Sequence, residues 1–201
     1  MAFRGRPSPP LHGDGMTNRQ QWTLITGLVT TAVFGVALAI KLRPQINPVE
    51  IGSGAPAFRA TNLRTNQPAT LADYRGKVVL VNIWATWCPP CRAEMPSMER
   101  LHQKLAATDF RIAAVSVDGD AFYNQEQAGP REIMAFANNL GLTFDILHDP
   151  SGAIRQSYDI FGVPESYVID REGVIVKRVI GAANWEDPVN EMLIRRLLGE
   201  P

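Results

Sequence analysis

Cysteine is scarce in this chain of 201 residues: there are two, Cys88 and Cys91, with two residues between them. Two cysteines do not make a zinc centre, which takes about four ligands. The three histidines, His12, His102 and His148, are scattered and add no ligand spacing. The pair is also a poor staple, because the loop it closes is tiny and restrains little of the unfolded chain. Net charge is lacking too: 20 basic residues balance 20 acidic ones, so no basic bias points to nucleic acid. No internal repeat is present. What remains for the cysteine pair is chemistry.

A hydrophobic content of 45% is enough for one domain with a real core and something extra. The extra lies at the N-terminus. Residues 1–19 are rich in proline and glycine without a period and read as a disordered tail, with Met16 an alternative start. Residues 20–40 then run without a charge. As a helix they would span roughly 31 Å, close to the hydrocarbon thickness of a bilayer. Trp22 stands near one end, while Lys41 and Arg43 close the other. A transmembrane signal-anchor over residues 20–42 is the preferred reading. A cleavable signal peptide competes with it, since Ala37-Leu38-Ala39 fits the small-X-small cleavage pattern. Arg4, Arg6 and Arg19 before the helix outnumber Lys41 and Arg43 after it, weakly favouring an inside N-terminus and an exported domain.

Residues 43–50, with Pro44 and Pro48, read as a semi-rigid linker. From Glu50 onward 15 basic residues face 19 acidic ones, a soluble and mildly acidic surface. Residues 57–61 and 68–71 around Arg64-Thr65-Asn66-Gln67 predict a hairpin, and residues 71–77 a helical turn ended by Gly76. The apolar run 77–84 predicts a buried strand, and residues 88–107 a helix kinked at Pro96. A second strand is expected over 111–117, then a polar loop over 118–128. A helix from Pro130, a strand over 143–147 and a helix over 151–158 follow. Residues 165–170 and 174–180 flank Arg171-Glu172-Gly173 as a hairpin, and a last helix over 189–198 stops at Gly199. Alternating strands and helices imply a mixed α/β sheet covered on both faces.

Strand, short turn and Cys-X-X-Cys at a helix start form the geometry of a dithiol redox site. The attacking species is a thiolate, so the site must lower one cysteine's pKa. Cys88 at the N-cap is placed for this, beside the positive end of the helix dipole. Pro89 and Pro90 fall where backbone donors lack helical partners and stiffen the turn. Cys91, one turn inside, is expected to be the buried, resolving thiol. Val163-Pro164 stands just ahead of a strand; on statistics alone a trans bond is the default. Met95, Met98 and Met134 read as core packing in preference to soft-metal ligands.

The stretch Asn82-Ile83-Trp84-Ala85-Thr86-Trp87-Cys88-Pro89-Pro90-Cys91-Arg92-Ala93-Glu94-Met95-Pro96 resembles the thioredoxin superfamily. More narrowly it is similar to membrane-anchored, extracytoplasmic thiol–disulfide oxidoreductases of the TlpA/ResA/DsbE type, over residues 51–198. Gly162-Val163-Pro164-Glu165-Ser166-Tyr167-Val168-Ile169-Asp170 matches that family's cis-proline segment. The resemblance implies a thioredoxin fold over 51–201, with an N-terminal β-hairpin extension and a βα insertion. It also implies a cis Val163–Pro164 bond, with the Val163 backbone pairing with the substrate chain.

Thioredoxin itself carries a buried aspartate where this chain has Asn82, which cannot take a proton. Glu94 lies three residues after Cys91, on the same helical face, where the resembling proteins carry an acid. It is the candidate proton acceptor for Cys91. Glu165 is expected to face the dithiol as a second carboxylate. Trp87, Pro89, Pro90, Val163, Pro164 and Glu165 make up the surface expected to meet substrate, while Trp84 is assigned to the core. No cofactor beyond the redox-active disulfide and no metal is expected.

The function expected is a reductant of disulfides in client proteins, on the periplasmic side of the cytoplasmic membrane. By resemblance the clients are apocytochrome c or copper-site proteins, and a membrane electron donor restores the dithiol. Two alternatives stay open: a disulfide-forming oxidant using the same pair, and a Cu(I)-delivery protein. A peroxidase fits less well, because the pattern around Cys88 lacks a single-cysteine peroxide site.

Overall fold

The computed structural model describes residues 17–42, 49–125 and 128–200. Of the expected tail over 1–19 and linker over 43–50, residues 1–16 and 43–48 lie outside the described residues, and Asn18 and Arg19 belong to a helix, not to the tail. The chain divides into two units: the first carries helix α1, Asn18–Leu42, and the second runs from Asn47 onward. Over Asn18–Leu38, α1 is long and apolar enough to cross a membrane by length and composition. The hydroxyls of Thr26, Thr30 and Thr31 donate to backbone carbonyls one turn back, on Trp22, Thr26 and Gly27. Their polarity is thereby satisfied inside the helix, as a segment in hydrocarbon requires.

The second unit is built on a seven-stranded mixed sheet. The strands are β1 (Arg59–Asn62), β2 (Gln67–Thr70), β3 (Val78–Trp84), β4 (Phe110–Ser116), β5 (Asp145–His148), β6 (Glu165–Ile169) and β7 (Ile175–Ile180), and they lie in the order β2-β1-β5-β4-β3-β6-β7. β3 pairs parallel with β4 over its whole length and antiparallel with β6. All seven of its residues are buried, which is why it reads as an apolar run with no alternation. Leu80, Val81 and Ile83 are fully enclosed. Each such side chain contributes about 1.5–3 kcal/mol, large against a net stability of about 5–15 kcal/mol.

The core β4-β3-β6-β7 with its helices is the thioredoxin-like fold. The hairpin β1–β2 extends it through β5, and α3 (Pro130–Asn139) with β5 forms the insertion after β4. Helix α2 (Pro89–Lys104) and α5 (Pro188–Leu198) share a face, joined by Lys104–Glu191 and by Arg100–Glu186 just ahead of α5. The short α4 (Ala153–Ser157) lies on the opposite face, where Tyr158 packs on Tyr167 with ring centroids 4.9 Å apart.

Most element boundaries differ from expectation by a residue or two, and two differences are larger. α2 ends at Lys104, three residues short, because the chain folds into a turn in which Thr108 Oγ1 and N both donate to the Leu105 carbonyl. The polar loop after β4 is not featureless: Asp120 caps a 3-10 turn at Ala121–Tyr123. α2 also runs through Pro96 unbroken.

Candidate active site

β3 ends at Trp84, and a four-residue turn delivers the chain to Cys88, the N-cap of α2. Pro89 and Pro90 occupy the first two helical positions and lack N–H groups. The first donor the helix offers is therefore Cys91 N, which points at Cys88 Sγ at 3.2 Å. One aligned N–H, rather than a spray of them, is what the helix start gives this sulfur.

Cys88 and Cys91 form a disulfide. Cys91 is fully enclosed and Cys88 is 2% exposed, whereas Pro89 and Pro90 stand exposed beside them. The Val163–Pro164 peptide is cis, and the Val163 carbonyl oxygen lies 3.5 Å from Cys88 Sγ. With the disulfide closed the sulfur has no proton to give; once reduced, the thiol can donate to that carbonyl. Gly181 N donates to the Pro164 carbonyl at 2.9 Å, so β7 braces the cis-proline turn from behind.

Trp87 is half-buried, with the Tyr123 ring 5.1 Å away at 53°. Burial pushes the Tyr123 hydroxyl up to about 12. Trp84 is fully buried and packs on Phe136 of α3.

Glu94 is 3% exposed, not a solvated helix glutamate. Its Oε1 accepts from Asn82 Nδ2 at 2.8 Å; its Oε2 accepts from Ala183 N at 3.0 Å and Trp185 Nε1 at 3.3 Å. All three donors are neutral. Desolvation raises its pKa, and the hydrogen bonds, which act in the opposite direction, do not cancel that rise. Asn82 Nδ2 also donates to Ser166 Oγ at 2.8 Å, and among the described residues Asn82 Oδ1 has no partner.

Glu165 departs from expectation. Its carboxylate does not face the dithiol; it accepts from Tyr167 Oη at 2.6 Å and pairs with Arg178 Nε at 2.5 Å. The reason is strand alternation. Ser166 points to Asn82 and α2, so Glu165 and Tyr167 point to the other face. The structure thus brings together Cys88, Cys91, Val163 and Pro164, with Trp87, Pro89 and Pro90 around them, while Glu94, three residues along α2 from Cys91, is tied to β3 through Asn82. The side chains of Ser166, Tyr123 and Trp185 belong to this neighbourhood and were not singled out in the sequence. Asn82, and Glu94 three residues after Cys91, are the two signals in the sequence that point toward the buried network.

Residues 51–178 match the AhpC/TSA family. The thiol–disulfide oxidoreductase ResA of Geobacillus kaustophilus is 33% identical over 160 residues, covering 80% of this chain and 86% of that protein. The thioredoxin-like protein YneN of Bacillus subtilis is 38% identical over 127 residues, 63% of this chain and 69% of that protein. Among solved structures, a putative thiol:disulfide interchange protein DsbE from Chlorobium tepidum superposes with a TM-score of 0.62 at 29% identity. That match covers 75% of this chain and 99% of the other.

Proposed function

As the chain belongs to the AhpC/TSA family and is a thiol–disulfide oxidoreductase of the ResA and DsbE type, we propose that it works outside the cytoplasm as a reductant of client disulfides. Residues 20–42 anchor it in the cytoplasmic membrane, residues 43–50 link, and 51–201 form the exported catalytic domain. The observation that carries the reading is the position of Cys88 Sγ, at the start of α2 and 3.5 Å from the carbonyl before cis-Pro164.

In the proposed cycle the Cys88 thiolate attacks one sulfur of the client disulfide. A Cys88–client bond forms, and the second client sulfur leaves as a thiolate and takes a proton. Cys91 then gives its proton to Glu94 and attacks Cys88 Sγ. The Cys88–Cys91 disulfide closes and the first client sulfur leaves, so two electrons have passed to the client. A membrane electron donor returns them. Trp87, Pro89, Pro90, Val163 and Pro164 form the surface over which the client segment lies. Clients with paired cysteines awaiting haem or copper suit such a reductant.

A Cys91→Ala variant expressed in cells tests this directly. Mixed disulfides should accumulate, dependent on Cys88 and visible on non-reducing gels, in membranes and cleaved by an impermeant reductant added to intact cells. Absence of adducts, or adducts reachable only after lysis, would overturn the reading. Direction is decided by the reduction potential: a reductant lies well below the roughly −180 mV of an isomerase, an oxidant well above it.

A further inference from the structure

One buried carboxylate has no part in the exchange just described. Asp118 follows β4 and is fully enclosed. Its Oδ2 accepts from Thr86 N at 2.9 Å and Ser116 Oγ at 2.7 Å. Its Oδ1 accepts from Thr86 Oγ1 at 2.8 Å and Ala128 N at 3.4 Å. The Asp118 N–H donates to Ser116 Oγ at 3.1 Å, and its carbonyl oxygen lies 2.7 Å from His148 Nε2. Among the described residues no cation pairs with it. A charge in the interior without a counter-ion persists only where donors replace its water, and four donors fill a carboxylate's capacity.

What matters is where the donors come from. Thr86 stands two residues before Cys88, in the turn that presents the sulfur. Ala128 closes the loop that carries Tyr123, whose ring lies on Trp87. Val117 N also donates to the Trp84 carbonyl at 2.9 Å, drawing the same two segments together. One side chain thus ties the base of the dithiol turn to the far end of the aromatic loop.

We propose that Asp118 is a positioning residue for client binding: it holds the 85–88 turn and the loop after β4 in one register, so that a client segment meets Trp87 and Tyr123 at a fixed height over Cys88. The proposal rests on the reading above, that Cys88 attacks a client and Trp87 contacts it. A merely structural aspartate would affect all substrates alike. A positioning aspartate separates them, because a small disulfide needs only the Cys88 sulfur, while a polypeptide also needs the aromatic surface.

The test uses the full chain in detergent, with dithiothreitol as the reductant that restores the dithiol and insulin and hydroxyethyl disulfide as substrates, each rate taken above the uncatalysed background. Asp118→Asn replaces one accepting oxygen by an NH2 group; Thr86→Val removes one donor O–H and leaves the carboxylate in place; Thr86→Ser restores it. In Asp118→Asn the KM for insulin should rise about tenfold with kcat little changed, as for a displaced binding surface. In Thr86→Val the rise should be about threefold, the size of one lost hydrogen bond. Hydroxyethyl disulfide reduction should hold in both variants, and Thr86→Ser should match the native chain. Should Asp118→Asn not fold, Thr86→Val carries the test. Equal losses on both substrates, or an unchanged insulin KM in folded variants, overturn the proposal. Activity surviving in Cys88→Ala is a different failure, which removes the reading of the dithiol and the role of Asp118 with it.

Discussion

Asn82 of β3 donates its side-chain amide to Glu94 of α2 at 2.8 Å, closing a buried pair in which only one member can ionise. Where two carboxylates would repel, an amide and a carboxylate share a hydrogen bond and one proton site remains. That site is buried, has no cation bonded to it among the described residues, and has its pKa raised by desolvation.

Stability should therefore depend on pH through Glu94. A carboxyl whose folded pKa lies above its unfolded value adds stability that is fully present below about 4.5 and is lost as pH rises through the folded pKa. The difference in urea-unfolding free energy between the oxidised native chain and Glu94→Gln should favour the native chain most at pH 4. It should shrink by about 1.4 kcal/mol for each unit by which the pKa is raised. A difference that stays flat from pH 4 to 8 contradicts the account.

In the reduced protein the same substitution should change the thiols. With glutamine in place of the carboxylate, the Cys91 ionisation should lose its coupled step and move to lower pH. The pH profile of alkylation rate reads this out, and an unaltered profile would leave Glu94 without a role in the Cys91 proton.

Asn82→Asp introduces a second carboxylate beside the first. Two like charges at this distance cannot both ionise cheaply in the interior, so the pair's upper pKa should climb further. Unfolding in urea should show the variant weaker than the native chain by about 2–3 kcal/mol at pH 8 and by much less at pH 5. Equal losses at both pH values would mean that shape, not charge, is at stake.

Glu165 and Arg178 form the other charged group at β6, and they call for a double-mutant cycle. Removing Arg178 leaves the enclosed Glu165 with Tyr167 Oη as its remaining side-chain partner, and Arg178→Met should cost about 1–3 kcal/mol. Arg178 is 31% exposed, which keeps the figure at the lower end. Glu165→Gln with Arg178→Met should recover much of the loss, giving a non-additive cycle. Simple additivity would show that the pair is not coupled.

Gly119, next to Asp118, has φ +99, and a Cβ there would stand 2.8 Å from Pro150 Cβ. Both the backbone and the space exclude a side chain. Gly119→Ala should destabilise by about 1–3 kcal/mol in thermal or urea unfolding. A neutral result would place the loop after β4 in a different conformation.

The sequence makes the central part of this molecule plain and the network around it obscure, for a physical reason. β3 is legible because a strand buried on both faces has no choice but continuous apolar residues. Cys88, Pro89 and Pro90 are legible because helix starts have local chemistry. The cis bond at Pro164 needed resemblance, since the bond's isomer leaves no local mark. The bonds from Ala183 and Trp185 to Glu94 cross 89 and 91 positions of chain, and no periodicity encodes a partner that far away. Glu165 went astray because alternation says which residues share a face but not which face looks at the sulfurs. Asp118 sat in what reads as a polar loop, where a fully enclosed carboxylate is the least expected use of an aspartate.

The long span from Glu94 to Trp185 also has a meaning in time. A ribosome that has delivered both cysteines still has about ninety residues to add before the indole reaches the carboxylate. At usual rates that takes roughly 5–20 s. Throughout that interval the Glu94 carboxylate lacks two of its three donors, and for most of it Val163 has not yet been added. The helix start around Cys88 is thus complete in sequence long before Glu94 receives the donors that fix its carboxylate.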